Sequence, residues 1–162
     1  MKSAPIFVLL ILLIAILSCR SSSPKKVRHS DPFYNDTGEG KFLVVPLIKP
    51  YSIVMDENSS LGWMLRYLEK PQLIDDKLYL SIPDVEKIAV EKGVIMVYAP
   101  NYRWYWVVII PDQKIEEGFE HEKDFLSYIH QFGIEEPNWV DPLDAFRQFE
   151  RTGCLDWIPD CP

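Results

Sequence analysis

The feature that most constrains the fold is a pair of apolar segments in the middle of the chain, at residues 94–99 and 103–110. They read VIMVYA and RWYWVVII, and in both the apolar side chains fall on both faces of an extended chain. This pattern is typical of central strands that are covered on both sides. Pro100 fixes its φ and Asn101 tolerates a positive φ, so the residues between the segments suit a hairpin turn. We therefore predict a central hairpin.

Runs rich in β-branched and aromatic residues precede this hairpin, and they predict further strands. They lie at residues 42–48, 51–55, 62–68, 78–82 and 85–90. Pro46 and Pro50 cannot donate a hydrogen bond to a neighbouring strand, so the first two runs are expected at a sheet edge or around a tight bend. Together with the central hairpin, these runs predict an antiparallel sheet of about six or seven strands.

Two helices are predicted after Pro111, where we expect the sheet to end. The apolar residues of the first helix recur at helical spacing, at Phe125, Leu126, Ile129 and Phe132. Asp141 suits the N-cap of the second helix and Pro142 its first position. Gly133 and Gly153 are expected to end the two helices. The predicted fold class is therefore α+β, with both helices packed on one face of the sheet.

The chain begins with Lys2 and an unbroken apolar run of 12 residues, Ile6–Leu17. A helix that spans a membrane needs about 20 apolar residues, so this run is too short. A short basic start, a short apolar centre and small residues at its end describe a secretory signal peptide. The end of the run, Ile16-Leu17-Ser18-Cys19, resembles the lipobox of bacterial lipoproteins. Leu17 departs from the pattern, because a smaller residue is commoner there.

The resemblance implies cleavage before Cys19 and attachment of lipid to its thiol. It further implies a place in the cell envelope, anchored to a membrane and facing the periplasm, with the cell surface as the alternative. Residues 1–18 are then the signal peptide. Residues 19–40, rich in Ser, Pro, Gly and charges, are predicted to be a flexible tether. Residues 41–162 are predicted to form a single globular α+β domain.

The sequence is acidic beyond the predicted tether. The chain contains 17 Lys and Arg and 24 Asp and Glu. From residue 41 onward, 12 basic residues stand against 21 acidic ones, a net charge of −9. Such a surface disfavours nucleic acid, since binding it requires Lys and Arg to displace counterions. It fits either a cationic protein partner or an ordinary solvated surface.

Cys154 and Cys161 form an even pair once Cys19 is assigned to lipid. In an oxidising compartment such a pair predicts a disulfide. The closed loop would contain about 8 residues, for which chain entropy gives about 2.5 kcal/mol of stabilisation. Their spacing excludes a catalytic Cys-x-x-Cys motif. We therefore expect a structural disulfide that closes the C-terminal tail.

Aromatic residues mark the first candidate sites for binding a partner. Trp104 and Trp106 are expected in the core, with an interface as the alternative. At the tip of the central hairpin lie residues of types enriched in interface hot spots: Tyr102, Arg103 and Tyr105. Trp157, between the two cysteines, is expected either to cap the core or to project towards a partner.

Acidic residues mark the second candidate site. Glu116, Glu117 and Glu120 are predicted to lie near the N-terminus of the first helix, where the helix dipole favours negative charge. These three side chains are the expected contacts for a cationic partner.

No motif predicts a catalytic residue, a metal or a cofactor. His121-Glu122 lacks the second histidine of the metalloprotease signature, and the 7 glycines form no phosphate-binding loop. A nucleophile elbow of the form Gly-x-Ser-x-Gly is also missing from the sequence. A hydrolase that uses two carboxylates is the remaining enzymatic possibility, because it requires only two suitably spaced acids.

Two functional hypotheses from different classes remain. The first is a membrane-tethered inhibitor or immunity protein that binds a basic toxin or a lysozyme-like enzyme through an acidic surface. The second is a structural or assembly accessory of an envelope complex, which would use apolar contacts. The two differ in salt dependence, because charge attraction is screened by salt whereas apolar contact is not.

Overall fold

The protein is described by a computed structural model that covers residues 25–67 and 81–161. In these residues seven strands form two antiparallel sheets. The first sheet consists, in spatial order, of β1 (Phe42–Pro46), β2 (Tyr51–Asp56) and β3 (Trp63–Tyr67). The second consists of β4 (Lys87–Glu91), β5 (Val94–Tyr98), β6 (Trp106–Ile110) and β7 (Ile115–Phe119). Two helices follow, α1 (Glu122–Ile129) and α2 (Pro142–Thr152).

The antiparallel strands and the two C-terminal helices are confirmed, but the prediction of a single sheet is wrong. The chain leaves the first sheet at Ile82, which pairs with Leu65 of β3 through one isolated bridge. It then starts a new sheet at β4. The predicted strand at 78–82 lies outside the described residues, apart from its last two positions.

The prediction that the sheet ends at Pro111 is also wrong. A short 3-10 turn, Pro111–Gln113, reverses the chain, and Lys114 adopts the left-handed conformation. The chain then returns as β7, which pairs with β6 from Ile110↔Ile115 to Trp106↔Phe119. Glu116 and Glu117 are exposed positions of this edge strand.

The second sheet is covered on both faces, as its continuous apolar sequence predicted. Alternate residues of its strands enter two separate clusters. The first cluster joins both sheets with α2 and includes Ile88, Ile95, Val97, Val107 and Ile109. The second packs against α1 and includes Ala89, Met96, Val108 and Ile110. The helices therefore lie on opposite faces of this sheet, and not on one face as predicted.

The ends of α2 and the disulfide follow the predicted chemistry. The Asp141 side chain accepts hydrogen bonds from the backbone amides of Leu143 and Asp144, and Gly153 ends the helix in the left-handed conformation. Cys154 and Cys161 form a disulfide directly after it. Both features depend on neighbours within a few residues, which explains why local sequence predicted them.

Part of the stretch predicted as a tether packs on the domain. The Val27 amide donates to the Thr152 carbonyl at 2.7 Å, and His29 Nε2 donates to the Gly153 carbonyl at 2.6 Å. Tyr34 packs against the first core cluster. Val27 and His29 thus join this stretch to the end of α2, and Tyr34 joins it to the core, although its composition is typical of a linker. The predicted signal peptide, Cys19 and the first residues of the tether lie outside the described residues.

Candidate interaction surface

The tip of the central hairpin is a loop, residues 99–105, that folds back onto β7. It is closed by a hydrogen bond from the Ala99 amide to the Tyr105 carbonyl at 2.9 Å. The Trp104 ring lies against Gly118 of β7, so closely that a Cβ on Gly118 would stand 2.3 Å from Trp104 Cδ2. Only a glycine leaves room for the ring here. The tip is therefore held on the edge strand of the second sheet.

The other side chains of the tip surround Trp104. The Arg103 guanidinium lies over the Trp104 ring, 5.1 Å from its centroid, and Tyr102 meets the same ring edge-on at 6.1 Å. Tyr105 meets Trp106 edge-on at 5.8 Å and is 43% exposed. Trp104 and Trp106, which were expected in the core, are partly buried against the core clusters. Of the three candidate residues for partner binding at the tip, Tyr102 is also partly buried, whereas Arg103 and Tyr105 face solvent.

The prediction that the three acidic residues lie together near a helix N-terminus is wrong. Glu116 and Glu117 are consecutive residues of β7, so their side chains point to opposite faces of the sheet. Glu120 lies in the bend between β7 and α1. All three are exposed. The acidic charge is thus spread along an edge strand and the bend that follows it.

Each of the two β7 carboxylates contributes to a rise in the pKa of a tyrosine. The Tyr51 hydroxyl of β2 donates to Glu116 Oε1 at 2.8 Å, which joins the two sheets. Burial raises the pKa of Tyr51 well above its usual range, and the Glu116 charge adds to the rise. On the other face, burial raises the pKa of Tyr128, with a smaller contribution from the Glu117 charge. Both effects keep these tyrosines neutral.

The structure therefore joins two groups that are separate in the sequence. We call them the tip-and-edge surface, which comprises Tyr102, Arg103, Trp104, Tyr105, Glu116, Glu117 and Glu120. Sequence reasoning missed the residue that joins them, Gly118. The sequence offered little signal for it, because a glycine marks a close approach by another group only within a strand, and no strand was predicted after Pro111.

Trp157 belongs to a different part of the molecule. Its Nε1 donates to the Pro46 carbonyl at 3.0 Å, and its ring packs against the first core cluster. It lines a groove beside the β4–β5 turn, at the end of β5 opposite to the hairpin tip. This position agrees with the interpretation of Trp157 as a cap on the core.

One group in the described part of the chain has the side chains of a metal site. The ligand atoms of His29, Cys154 and Cys161 all lie within 4.8 Å of one another. The two sulfur atoms are bonded to each other in the disulfide, so in this state they are not free to act as thiolate ligands.

No protein-family model, no curated protein and no solved structure matches this chain. The functional conclusion therefore depends on the geometry of the tip-and-edge surface and on the features of the sequence.

Proposed function

We propose that this protein is a lipid-anchored lipoprotein of the cell envelope that binds a basic protein partner, as an inhibitor or immunity protein. One observation carries the proposal: through Trp104 and Gly118, the aromatic hairpin tip lies on β7, the edge strand that carries the exposed Glu116 and Glu117. The lipid anchor is proposed from the lipobox resemblance, which ends at Cys19.

The acids of this surface are available to a cationic partner. The ion pairs of the described residues are Lys49–Asp31, His130–Glu135 and Arg147–Asp144. None of them involves an acid of the tip-and-edge surface. Unpaired surface carboxylates attract a basic partner from a distance and increase its association rate. Arg103 and Tyr105 then supply contact area of the types that dominate binding energy.

The accessory hypothesis is favoured by a different observation. Within residues 25–67 and 81–161, three large hydrophobic side chains are markedly exposed, Phe42, Leu61 and Tyr105. Burial of such side chains against another envelope protein would be driven by apolar contact and would change little with salt. Salt dependence therefore separates this hypothesis from the first.

Replacement of the three acids Glu116, Glu117 and Glu120 by glutamine is expected to weaken binding of the basic partner by about tenfold or more at low salt. The detergent-solubilised full chain would be used to capture proteins from envelope and secreted fractions at low and high salt. The matched control replaces three other exposed acids, Glu57, Glu136 and Glu150, which make no side-chain hydrogen bond or ion pair with any described residue. Both variants change the net charge equally.

A basic protein that is lost at high salt, and lost in the first variant but not in the control, supports the proposal. Equal loss in both variants would mean that only net charge matters, and the assignment to this surface would then be wrong. A partner retained at high salt and by both variants would favour the accessory hypothesis.

The anchor has a separate test. Cys19→Ser is expected to abolish incorporation of a labelled fatty acid and to release the protein from membranes, because the thiol is the expected attachment point. Cells that express the wild type and the variant would be compared by labelling and fractionation. The double variant Cys154→Ser and Cys161→Ser, which removes the disulfide without leaving a free thiol, is the control for loss of other cysteines. Incorporation into Cys19→Ser at the wild-type level would contradict the proposal.

A further inference from the structure

Three of the four outer sheet edges are closed by neighbouring chain. On β3, the Leu65 amide donates to the Ile82 carbonyl at 2.9 Å. On β4, Ile88 and Val140 exchange both backbone hydrogen bonds, at 2.8 and 3.0 Å. On β1, the Val44 amide donates to the Thr37 carbonyl at 3.2 Å. Each of these edges has lost at least part of its capacity to pair with another strand.

The outer edge of β7 is different. Its only pairing in the described part of the chain is with β6, from Ile115 to Phe119. In an antiparallel edge strand, alternate residues direct their backbone N–H and C=O groups away from the sheet. β7 thus presents a row of backbone groups that can pair with an added strand.

The side chains of β7 restrict which strand can be added. Exposed charges on an edge strand normally discourage pairing between identical edges, and two β7 strands side by side would bring like charges together. Consecutive Glu116 and Glu117 point to opposite faces, so an added strand would satisfy both with two consecutive basic residues. Opposite charges across a strand pair are favourable. The edge therefore selects for a basic segment and against a second copy of this chain.

The hairpin tip gives the added strand a further contact. Trp104 lies on Gly118 of β7, and Arg103 covers the same ring. An added strand beside β7 would therefore run next to a partly buried aromatic group that is already fixed in place. Little conformational entropy would be lost by the tip on binding.

We propose that β7 accepts an extended segment of the partner protein, with two consecutive Lys or Arg residues, as an eighth strand of the molecule. This is recognition by β-strand addition, in which backbone hydrogen bonds supply affinity and side chains supply selectivity. The inference rests on the proposed function and specifies how the basic partner binds.

Four capped peptides test this inference with the full-length protein in detergent. The first, TVKKVT, combines strand-forming residues with a basic pair. Two others have the same sequence with backbone N-methylation at alternate residues, one in each register, which removes strand pairing but keeps the charge. The fourth, TVEEVT, reverses the charge. Affinity would be measured by titration, and amide hydrogen exchange would be followed in β7.

TVKKVT is expected to bind and to slow exchange at alternate amides of β7, whereas one N-methylated register should bind about tenfold more weakly and TVEEVT should not bind. Equal, salt-dependent binding of TVKKVT and both methylated peptides would overturn strand addition but leave the proposed electrostatic function intact. Strand addition would also be overturned if TVKKVT does not bind, or if TVEEVT binds as tightly as TVKKVT. If amide exchange in β7 slows as the concentration of the protein alone is raised, the β7 edge pairs with a second copy of this chain. That result would also overturn strand addition by a basic segment.

Discussion

Gly118→Val is expected to lower the free energy of unfolding by about 2–3 kcal/mol and to weaken binding at the tip-and-edge surface. A Cβ at this position would stand 2.3–2.6 Å from three atoms of the Trp104 ring. The ring cannot share that space, so it must leave the face of β7. Arg103, which lies over the ring, would move with it. Urea unfolding and the capture assay would measure the two effects.

A double-mutant cycle isolates this contact. In a Trp104→Ala background the ring is missing, and Gly118→Val should then cost less than about 1 kcal/mol, since valine is well suited to a strand. If the valine costs as much without the ring as with it, the close approach of Trp104 is not the cause. The joining of tip and edge would then be unsupported.

Gly153→Ala is expected to lower the free energy of unfolding by about 3 kcal/mol. Gly153 has φ +71°, a conformation that costs an alanine about 1 kcal/mol. Its Cβ would also stand 2.2 Å from the Val27 carbonyl oxygen. Residues 27–29 would have to detach, with loss of the hydrogen bonds from Val27 and His29 to the end of α2, which contribute about 1 kcal/mol each.

Gly93→Ala is the matched control for this substitution. Gly93 has φ +80°, and a Cβ there would meet no atom within 4 Å. Gly93→Ala should therefore lower the free energy of unfolding only by the cost of the left-handed conformation, about 1 kcal/mol. Denaturant unfolding of the two variants gives the contribution of the N-terminal segment as the difference. Equal costs would show that residues 27–29 do not stabilise the domain.

The sequence by itself predicted the features that depend on neighbours along the chain. The central hairpin was evident from two apolar segments whose side chains require cover on both faces. The ends of α2 were evident from Asp141, Pro142 and Gly153, because capping involves only the first and last turns. The disulfide followed from an even pair of cysteines.

The tertiary structure alone decided how these elements are arranged. The division into two sheets and the contacts of Val27 and His29 with the end of α2 depend on segments that are distant in the sequence. The return of the chain as β7 is closer in sequence, across the turn Pro111–Gln113, but it is the pairing with β6 that puts Glu116 and Glu117 on an edge strand. Composition and periodicity report which face of a segment is buried, but they do not report which segment buries it. That choice is made by backbone pairing and close packing over long sequence separations, as where Trp104 meets Gly118.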